Sequence, residues 1–254
     1  VAVSFSLVDI SNSLSSSNAA STWSALEESF SSGSQAIVPI VATLYPLSLD
    51  QINDALNQMQ PSNLKGLTIS QENNVIKVRE SLSLRLDDKL NTKNCTPHKS
   101  TQKETEKKKS CDEPRKDFHV WSDGFGDTLH QGSIYAAGSP QSGYQIDSWG
   151  ITAGIDYNLA NYFYFGALGG YTSTDASWSN NAGSGNIYTG YAGLYFAALT
   201  DVFYARAAAL GGWSSYDTSR NIIYPGVNET ATGSHGGSQL LLNLTVGLNI
   251  GLNY

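Results

Sequence analysis

The sequence has few charged residues and no long hydrophobic run. Charged side chains make up 15% of its 254 residues, whereas about 25% is usual for a soluble protein. No segment reaches the about 18 consecutive apolar residues that a membrane-spanning helix requires. Low charge without such a helix is typical of a membrane β-barrel, in which the hydrophobic signal is divided among many short strands.

Several functional signatures are also missing. The net charge is −7 and no basic face is evident, which argues against nucleic acid as a partner. The G-x-S-x-G and H-E-x-x-H motifs of hydrolases and the phosphate-binding P-loop do not occur. The four histidines are scattered along the chain. We therefore expect no catalytic residue, no metal site and no cofactor.

A regular alternation of apolar and polar residues closes the sequence, from Ser238 to Tyr254. Side chains of a strand point alternately to opposite faces, so one face here is hydrocarbon and the other is polar. The segment is longer than the about 9–11 residues with which a tilted strand crosses a bilayer. We predict that Leu242, Leu244, Val246, Leu248 and Ile250 face lipid and that Asn243, Thr245 and Asn249 face a wet lumen. A half-buried strand of a soluble β-sandwich is the alternative.

Six segments after residue 117 are predicted strands, which makes the fold class all-β. They are 118–132, 143–158, 162–178, 186–199, 202–216 and 239–254, and "NETATGSHGGS" (228–238) is predicted to be a turn-rich connection. Ile151 and Ile155 are predicted to face lipid, and Thr152 and Asp156 the lumen. Arg206 is predicted to face the lumen too, because arginine on the lipid face costs about 2–4 kcal/mol at the midplane.

Six strands are fewer than the about eight of the smallest ordinary single-chain barrels. A spanning sheet must close, because free strand edges in lipid leave backbone groups unsatisfied. Residues 118–254 are therefore predicted to be the N-terminal part of a larger antiparallel transmembrane β-barrel. A contribution to a barrel shared between chains is the alternative.

Residues 1–93 are rich in serine and asparagine and contain helical patches. Ser48 and Gln51 have the spacing of a capping box, and Pro61 stops the helix that they begin. The last patch places Val75, Val78, Leu82, Leu86 and Leu90 on one stripe. Taken without its context, this patch suits an ordinary amphipathic hairpin.

Residues 94–117 contain many lysines and almost no hydrophobic residues. Such a segment is predicted to be a solvated linker, because it has nothing to bury that would offset its ordering entropy. It contains both cysteines, Cys95 and Cys111. We expect them to form a disulfide in an oxidising cell envelope, and two unrelated thiols are the alternative.

The order of these parts resembles that of the autotransporters of bacterial type V secretion, over residues 12–254. The segment "INDALNQMQPSNL" resembles the stretch that precedes the barrel in this family, and "FHVWSDGFGD" (118–127) resembles its first strand. "GYQIDSWGITAGIDYNLANYFYFGALGGYTSTDASW" (143–178) is the most specific match, because it resembles the second hairpin of the family.

The resemblance implies an outer-membrane barrel of about twelve strands, of which about six are present, so the barrel is truncated here. It implies a helix through the lumen, with Val75, Val78, Leu82 and Leu86 in it, and a passenger attached upstream whose tail reaches about residue 18. It also implies insertion by the barrel-assembly machinery and anchorage in the bacterial outer membrane, with the lipid bilayer as a partner. The long linker with its cysteine pair departs from the family pattern.

Two other functions are open at this stage. One is a porin-like outer-membrane pore without a passenger. The other is a barrel-borne hydrolase, since His119, Asp123 and Asp127 lie on the same face of the first strand, and His130 follows. Histidine and aspartate side chains can act together as a general base that activates water. Self-cleaving autotransporters cut an Asn-Asn dipeptide in the lumen helix. Asn73–Asn74 is such a dipeptide, in surroundings that do not match, and we do not expect cleavage there.

Overall fold

Helices come first in the chain and antiparallel strands follow them. The computed structural model describes residues 7–60, 65–93, 118–136, 139–160, 162–200 and 202–248. The 94–117 linker with Cys95 and Cys111 lies outside the described residues, as do Asn249 and Ile250. The helices are α1 (Ser17–Ser31), α2 (Ile37–Leu44), α3 (Leu49–Met59) and α4 (Lys65–Lys93). Two single-turn 3₁₀ helices span Ser11–Ser13 and Ser179–Asn181.

The strands form one large sheet and one short hairpin. They are β1 (Phe118–Gln131), β2 (Ile134–Ala136), β3 (Ser139–Gln141), β4 (Tyr144–Ala160), β5 (Phe163–Trp178), β6 (Gly183–Leu199), β7 (Phe203–Tyr224) and β8 (Val227–Leu248). The large sheet has the order β1-β4-β5-β6-β7-β8, and all its neighbours are antiparallel. Within the described residues β1 and β8 do not pair, so the sheet is not closed. The predicted antiparallel sheet with a helical segment before it is confirmed.

The largest departure from the predicted strands is in the last hairpin. Residues 228–238, which the sequence predicts to be a loop, are part of β8, and β7 continues to Tyr224 instead of ending near residue 216. The hairpin turns at Pro225-Gly226, where Gly226 has a φ of +86°. Proline and glycine at the two central positions favour a tight turn of this kind. The polar residues that followed it suggested a loop, but the regular ladder from Phe203↔Leu248 to Tyr224↔Val227 makes them a strand.

The two ends of the large sheet differ in their connections. At one end β4 joins β5 and β6 joins β7 through a few residues each, and we call this the short-turn end. At the other end β1 joins β4 through the β2–β3 hairpin, β5 joins β6 through a 3₁₀ turn, and the β7–β8 hairpin turns. We call this the hairpin end.

The sheet curves around α4. Side chains of this one helix bond to strands from one edge of the sheet to the other: Asn73 to Asp127 on β1, and Gln71 to Gln239 on β8. A flat sheet of six strands spaced about 4.8 Å apart would be about 24 Å wide, and a helix with its side chains is only about 10–12 Å across. The helix therefore lies in a trough that the sheet forms, and we call the covered side the inner face.

Helices α1–α3 pack at the hairpin end. Their buried residues Trp23, Leu44 and Leu56 form a cluster with Tyr224 of β7. The predicted capping box starts α3, with Ser48 Oγ accepting from Gln51 N and Gln51 Oε1 accepting from Ser48 N. None of the helices in the described part of the chain is both long and apolar enough to cross a membrane.

Candidate functional site: the helix-covered face of the sheet

The inner face holds the residues that the sequence predicts to line a lumen. Thr152 and Asp156 are 0% and 2% exposed beneath α4, and the side chain of Arg206 is 11% exposed. Asn243 and Thr245 lie at the corresponding positions of β8, opposite Ala208 and Arg206. α4 does not cover them, because it lies closest to β1, β4, β5 and β6.

An ionic cluster surrounds Asp156 near the C-terminal end of α4. Arg85 donates from Nε and Nη2 to Oδ2 of this carboxylate, at 3.0 and 2.9 Å. The hydroxyl of Tyr195 donates to the same oxygen at 3.3 Å. Lys89 Nζ and His119 Nδ1 lie 3.4 and 3.5 Å from Oδ1. A buried carboxylate needs such partners because its desolvation costs several kcal/mol, so this cluster fixes the register of α4 on the wall.

A second ion pair ties the same end of the helix to the far side of the sheet. Arg206 of β7 donates through Nη2 to Asp87 of α4. Its guanidinium also lies over the ring of Tyr204, 5.0 Å from the centroid. Asp87 and Arg85 thus reach opposite parts of the trough from neighbouring positions, which holds α4 against rotation about its own axis.

The middle of α4 makes apolar contacts with the wall. Val78, Leu82 and Leu86 are all buried, in a cluster with aromatic and aliphatic side chains of five strands. Val75, the fourth residue of the predicted lumen stripe, is half-buried. The predicted stripe is therefore the side of α4 that meets the sheet.

Hydroxyl and amide groups form the contact toward the N-terminal half of α4. Asn74 Nδ2 donates to Thr174 Oγ1 at 2.9 Å, and Ser70 Oγ lies 3.4 Å from Ser148 Oγ. Gln71 Nε2 donates to Gln239 Oε1 at 3.0 Å. Small hydroxyl groups on the strands let the helix backbone approach closely while satisfying its polar side chains.

Five glycines of the inner face lie directly opposite aromatic residues of the neighbouring strand. The pairs are Trp121–Gly154, Phe125–Gly150, Gly166–Tyr195, Gly170–Tyr191 and Tyr204–Gly247. A β-carbon on any of these glycines would overlap the facing ring or its hydroxyl. Each ring therefore lies over its glycine, in the manner by which aromatic residues protect strand glycines. Trp121 Nε1 donates to the Tyr195 hydroxyl at 2.9 Å, which connects two of these pairs to Asp156.

The outer face of the sheet carries the residues that are predicted to meet lipid. Ile151 and Ile155 are about half exposed, and Leu242, Leu244, Val246 and Leu248 are more than 60% exposed. Outward positions are apolar from Trp149 to Leu159 on β4 and from Phe203 to Trp213 on β7. Each stretch is about ten residues long, which matches the about 9–11 residues that a tilted strand needs to cross a bilayer.

Polar residues follow this apolar band on the outer face at the hairpin end. Asp147 and Asp175 lie directly opposite each other on β4 and β5, and Asp217 follows Trp213 by four positions on β7. Trp149 and Tyr171 pack against each other just inside this polar border, with ring centroids 5.8 Å apart. Such an aromatic border between apolar and polar zones is typical of a membrane interface.

The sequence profile of a family described as the autotransporter beta-domain matches residues 120–254, more than half of the chain. The chain belongs to the autotransporter family. Comparison with curated protein sequences gives no significant match. Autotransporter β-domains reside in the bacterial outer membrane as β-barrels of type V secretion, and their role is translocation and anchoring rather than an enzymatic reaction.

The histidine and aspartates of the hydrolase alternative are separated in this autotransporter. His119, Asp123 and Asp127 all point to the inner face, but residues four apart on a strand are about 13 Å apart. His119 lies beside Asp156 instead, and Asp127 accepts a hydrogen bond from Asn73. His130 has the opposite parity and is exposed on the outer face. The four residues do not come together as a general-base site.

The Asn73–Asn74 dipeptide lies inside α4, with both amides bonded to the wall. Asn73 Nδ2 donates to Asp127 and Asn74 Nδ2 donates to Thr174. Sequence reasoning placed this dipeptide in the lumen helix but did not find its partners, because they come from β1 and β5.

Sequence reasoning missed two parts of the site. The sequence pattern assigned no role to Arg85 or Lys89, whereas they hold Asp156. The pairing of inner-face glycines with aromatic rings depends on the register between strands. For one of these rings a signal was available: the alternation of side chains along β7 places Tyr204 on the same face as Arg206.

Proposed function

We propose that this chain contains the membrane anchor and export channel of an autotransporter, with α4 in the lumen and the passenger joined upstream. The observation that supports it best is the run of contacts along α4, from Ser70 to Lys89, with the inner face of the sheet. A helix that runs along the trough in this way leads the chain out of it at the hairpin end and at the short-turn end. The upstream segment would thus leave at one side of the membrane and the linker to β1 at the other.

The lengths of the strand connections indicate which end of the sheet faces the periplasm. Barrels of the outer membrane have short periplasmic turns and longer extracellular connections, so we assign the short-turn end to the periplasm. Arg85 contacts Asp156 near that end, whereas Leu67 packs with Trp178 near the hairpin end. α4 therefore runs from the cell surface toward the periplasm, and residues 7–60 with the passenger tail lie outside the cell.

We propose three partners for this channel. The apolar outer band, with Leu244 near its middle on β8, meets the hydrocarbon of the bilayer. The barrel-assembly machinery inserts the strands, and the free edges of β1 and β8 require pairing in a closed barrel. The passenger is covalently attached before α1. α4 fills part of the trough, which favours a plugged channel over a steadily open pore.

Surface display in a Gram-negative host tests this function. A peptide tag placed before Ser17 in the full-length protein should be accessible to protease added to intact cells, and the barrel should show heat-modifiable migration on gels. Deletion of β7 and β8 should abolish both. A tag that stays inside cells with a folded, heat-modifiable barrel would contradict export. A steady large conductance of the purified protein in planar bilayers would favour the pore.

A further inference from the structure

The β7–β8 hairpin extends beyond the rest of the sheet. The pairing of β6 with β7 ends at Gly183↔Arg220, whereas β7 and β8 remain paired as far as Tyr224↔Val227. The last residues of β7 therefore have a backbone edge that no strand in the described part of the chain covers. Uncovered edges are prone to unwanted pairing and are usually protected.

Helix α3 covers that edge. The amide of Ile223 donates to Gln58 Oε1 at 2.7 Å, and Arg220 Nη1 donates to the carbonyl oxygen of Gln60 at 2.8 Å. The amide of Asn221 donates to Ala182 O at 3.0 Å. Two amides of the edge and the Arg220 guanidinium thus have partners, and two of these partners, Gln58 and Gln60, lie at the end of α3. Burial lowers the pKa of the Arg220 guanidinium, which agrees with a contact that removes it partly from water.

The inner side of the hairpin tip is apolar where it meets the helices. Ile222, Tyr224 and Val227 pack with the core of α1–α3, and Tyr224 is 8% exposed. The hydroxyls of Tyr224 and Thr43 are 2.8 Å apart. The side chain of Ile223, which points the other way, is 48% exposed. The tip has one apolar side, and α1–α3 occupy it.

A short connection keeps α3 close to this tip. Only residues 61–64 separate the described end of the α3 segment from Lys65, and such a span reaches less than about 20 Å even when fully extended. Tethering over so short a distance gives a high effective concentration of α3 at the hairpin. Docking is thus favoured as soon as residues 17–60 are outside the membrane.

We propose that the tip of the β7–β8 hairpin is a foothold for export: it binds α1–α3 on the cell surface and prevents the exported chain from slipping back. This inference rests on the proposed export function. The partner is the helical segment of the same chain, recognised by the apolar side of the tip and by the β7 edge. The ion pairs of α4 hold the chain at the periplasmic end, and this contact holds it at the other.

The test compares two variants of the tip in the full-length protein with a tag before Ser17. In I222N/Y224N the apolar side is lost, and in the control N228A an exposed side chain at the same level of the hairpin, opposite Ile223, is changed. Pulse–chase labelling with protease added to intact cells measures how fast the tag appears outside. Limited proteolysis of α1–α3 measures docking, and heat-modifiable migration reports the barrel separately.

The foothold predicts that I222N/Y224N slows appearance of the tag by about tenfold, as suits the loss of two packed apolar side chains, and makes α1–α3 sensitive to protease. N228A should behave as the unchanged protein. Unchanged export in I222N/Y224N would overturn the foothold, whether or not α1–α3 become sensitive. Should that variant not form the barrel, L56N tests the contact from α3 and leaves the sheet intact. Absence of surface tag in the unchanged protein would refute export itself.

Discussion

Arg85 of α4 directs two of its nitrogens, Nε and Nη2, at a single oxygen of Asp156 on β4, at 3.0 and 2.9 Å. The carboxylate is 2% exposed and the arginine side chain 17%. An ion pair so far from water contributes more to position than to stability. It defines where along the trough the helix stops, and loss of one partner leaves the other buried without compensation.

The substitution D156N should lower the free energy of unfolding of the barrel by about 3–5 kcal/mol, because Arg85 and Lys89 would lose their buried counter-charge. Denaturant titration of the refolded protein in detergent measures the loss. D147N provides the matched control, since that carboxylate lies on the same strand but is exposed, and it should change stability by less than about 1 kcal/mol. Equal effects of the two substitutions would show that the cluster does not fix α4.

Replacement of Gly166 by alanine should displace the ring of Tyr195. The displaced hydroxyl would lose its bonds to Trp121 and Asp156, and we expect a loss of about 1–3 kcal/mol, as in overpacked cores. Thermal unfolding followed by heat-modifiable migration measures it. G190A is the control, because no atom lies within 4 Å of a β-carbon added there. A Gly166 variant as stable as G190A would contradict the interlocking of ring and glycine.

Arginine at two neighbouring positions of β8 tests which face meets lipid. L244R places the charge on the apolar outer face and should cost about 2–4 kcal/mol near the bilayer midplane, so folding into lipid vesicles should fail or slow strongly. N243R places it on the polar face, opposite Ala208, and should fold normally. The gel shift of the folded form measures both. Similar folding of the two variants would indicate that Leu244 does not contact hydrocarbon.

The capping box of α3 should contribute to the stability of the helical segment. S48A removes the acceptor for Gln51 N and should destabilise α1–α3 by about 1 kcal/mol, which limited proteolysis would detect as faster cleavage. S24A is a suitable comparison, because Ser24 is an exposed interior residue of α1 whose hydroxyl donates to Ala20 O within the same helix. Cleavage at equal rates in both variants would argue against a role for the cap.

Local patterns predicted most of the elements because each element depends on its own residues. Strict parity in β4 and β8 assigned faces to Ile151, Thr152 and Leu244 without any knowledge of their neighbours. The capping box located the start of α3 because both of its partners lie within four residues. The same reasoning was wrong for residues 228–238, whose polar sequence predicted a loop although they belong to β8. A paired strand with water on both sides needs no apolar residue.

The contacts of the inner face could not be predicted, because they join residues that are far apart in the sequence. Arg85 and Asp156 are separated by the whole linker and by β1, and the local sequence around either residue gives no sign that the two form an ion pair. The Pro225-Gly226 turn was a usable signal that would have corrected β7 and β8, had it been weighed against the serine- and glycine-rich stretch after it. Whether Val78, Leu82 and Leu86 lie in a closed lumen stays a prediction.

The interlocking of five glycines with five rings has an evolutionary corollary. In each pair the volume absent at one position is supplied from the adjacent strand, so the two sites form a single unit of variation. Homologues with a bulky residue in place of Gly166 should carry a small one in place of Tyr195, and the same exchange should recur at Gly150 and Gly247. Gly154 and Gly170 also face a backbone carbonyl oxygen, so we expect glycine to persist there. Aligned relatives of this translocator would therefore reveal its strand register through correlated changes in side-chain size.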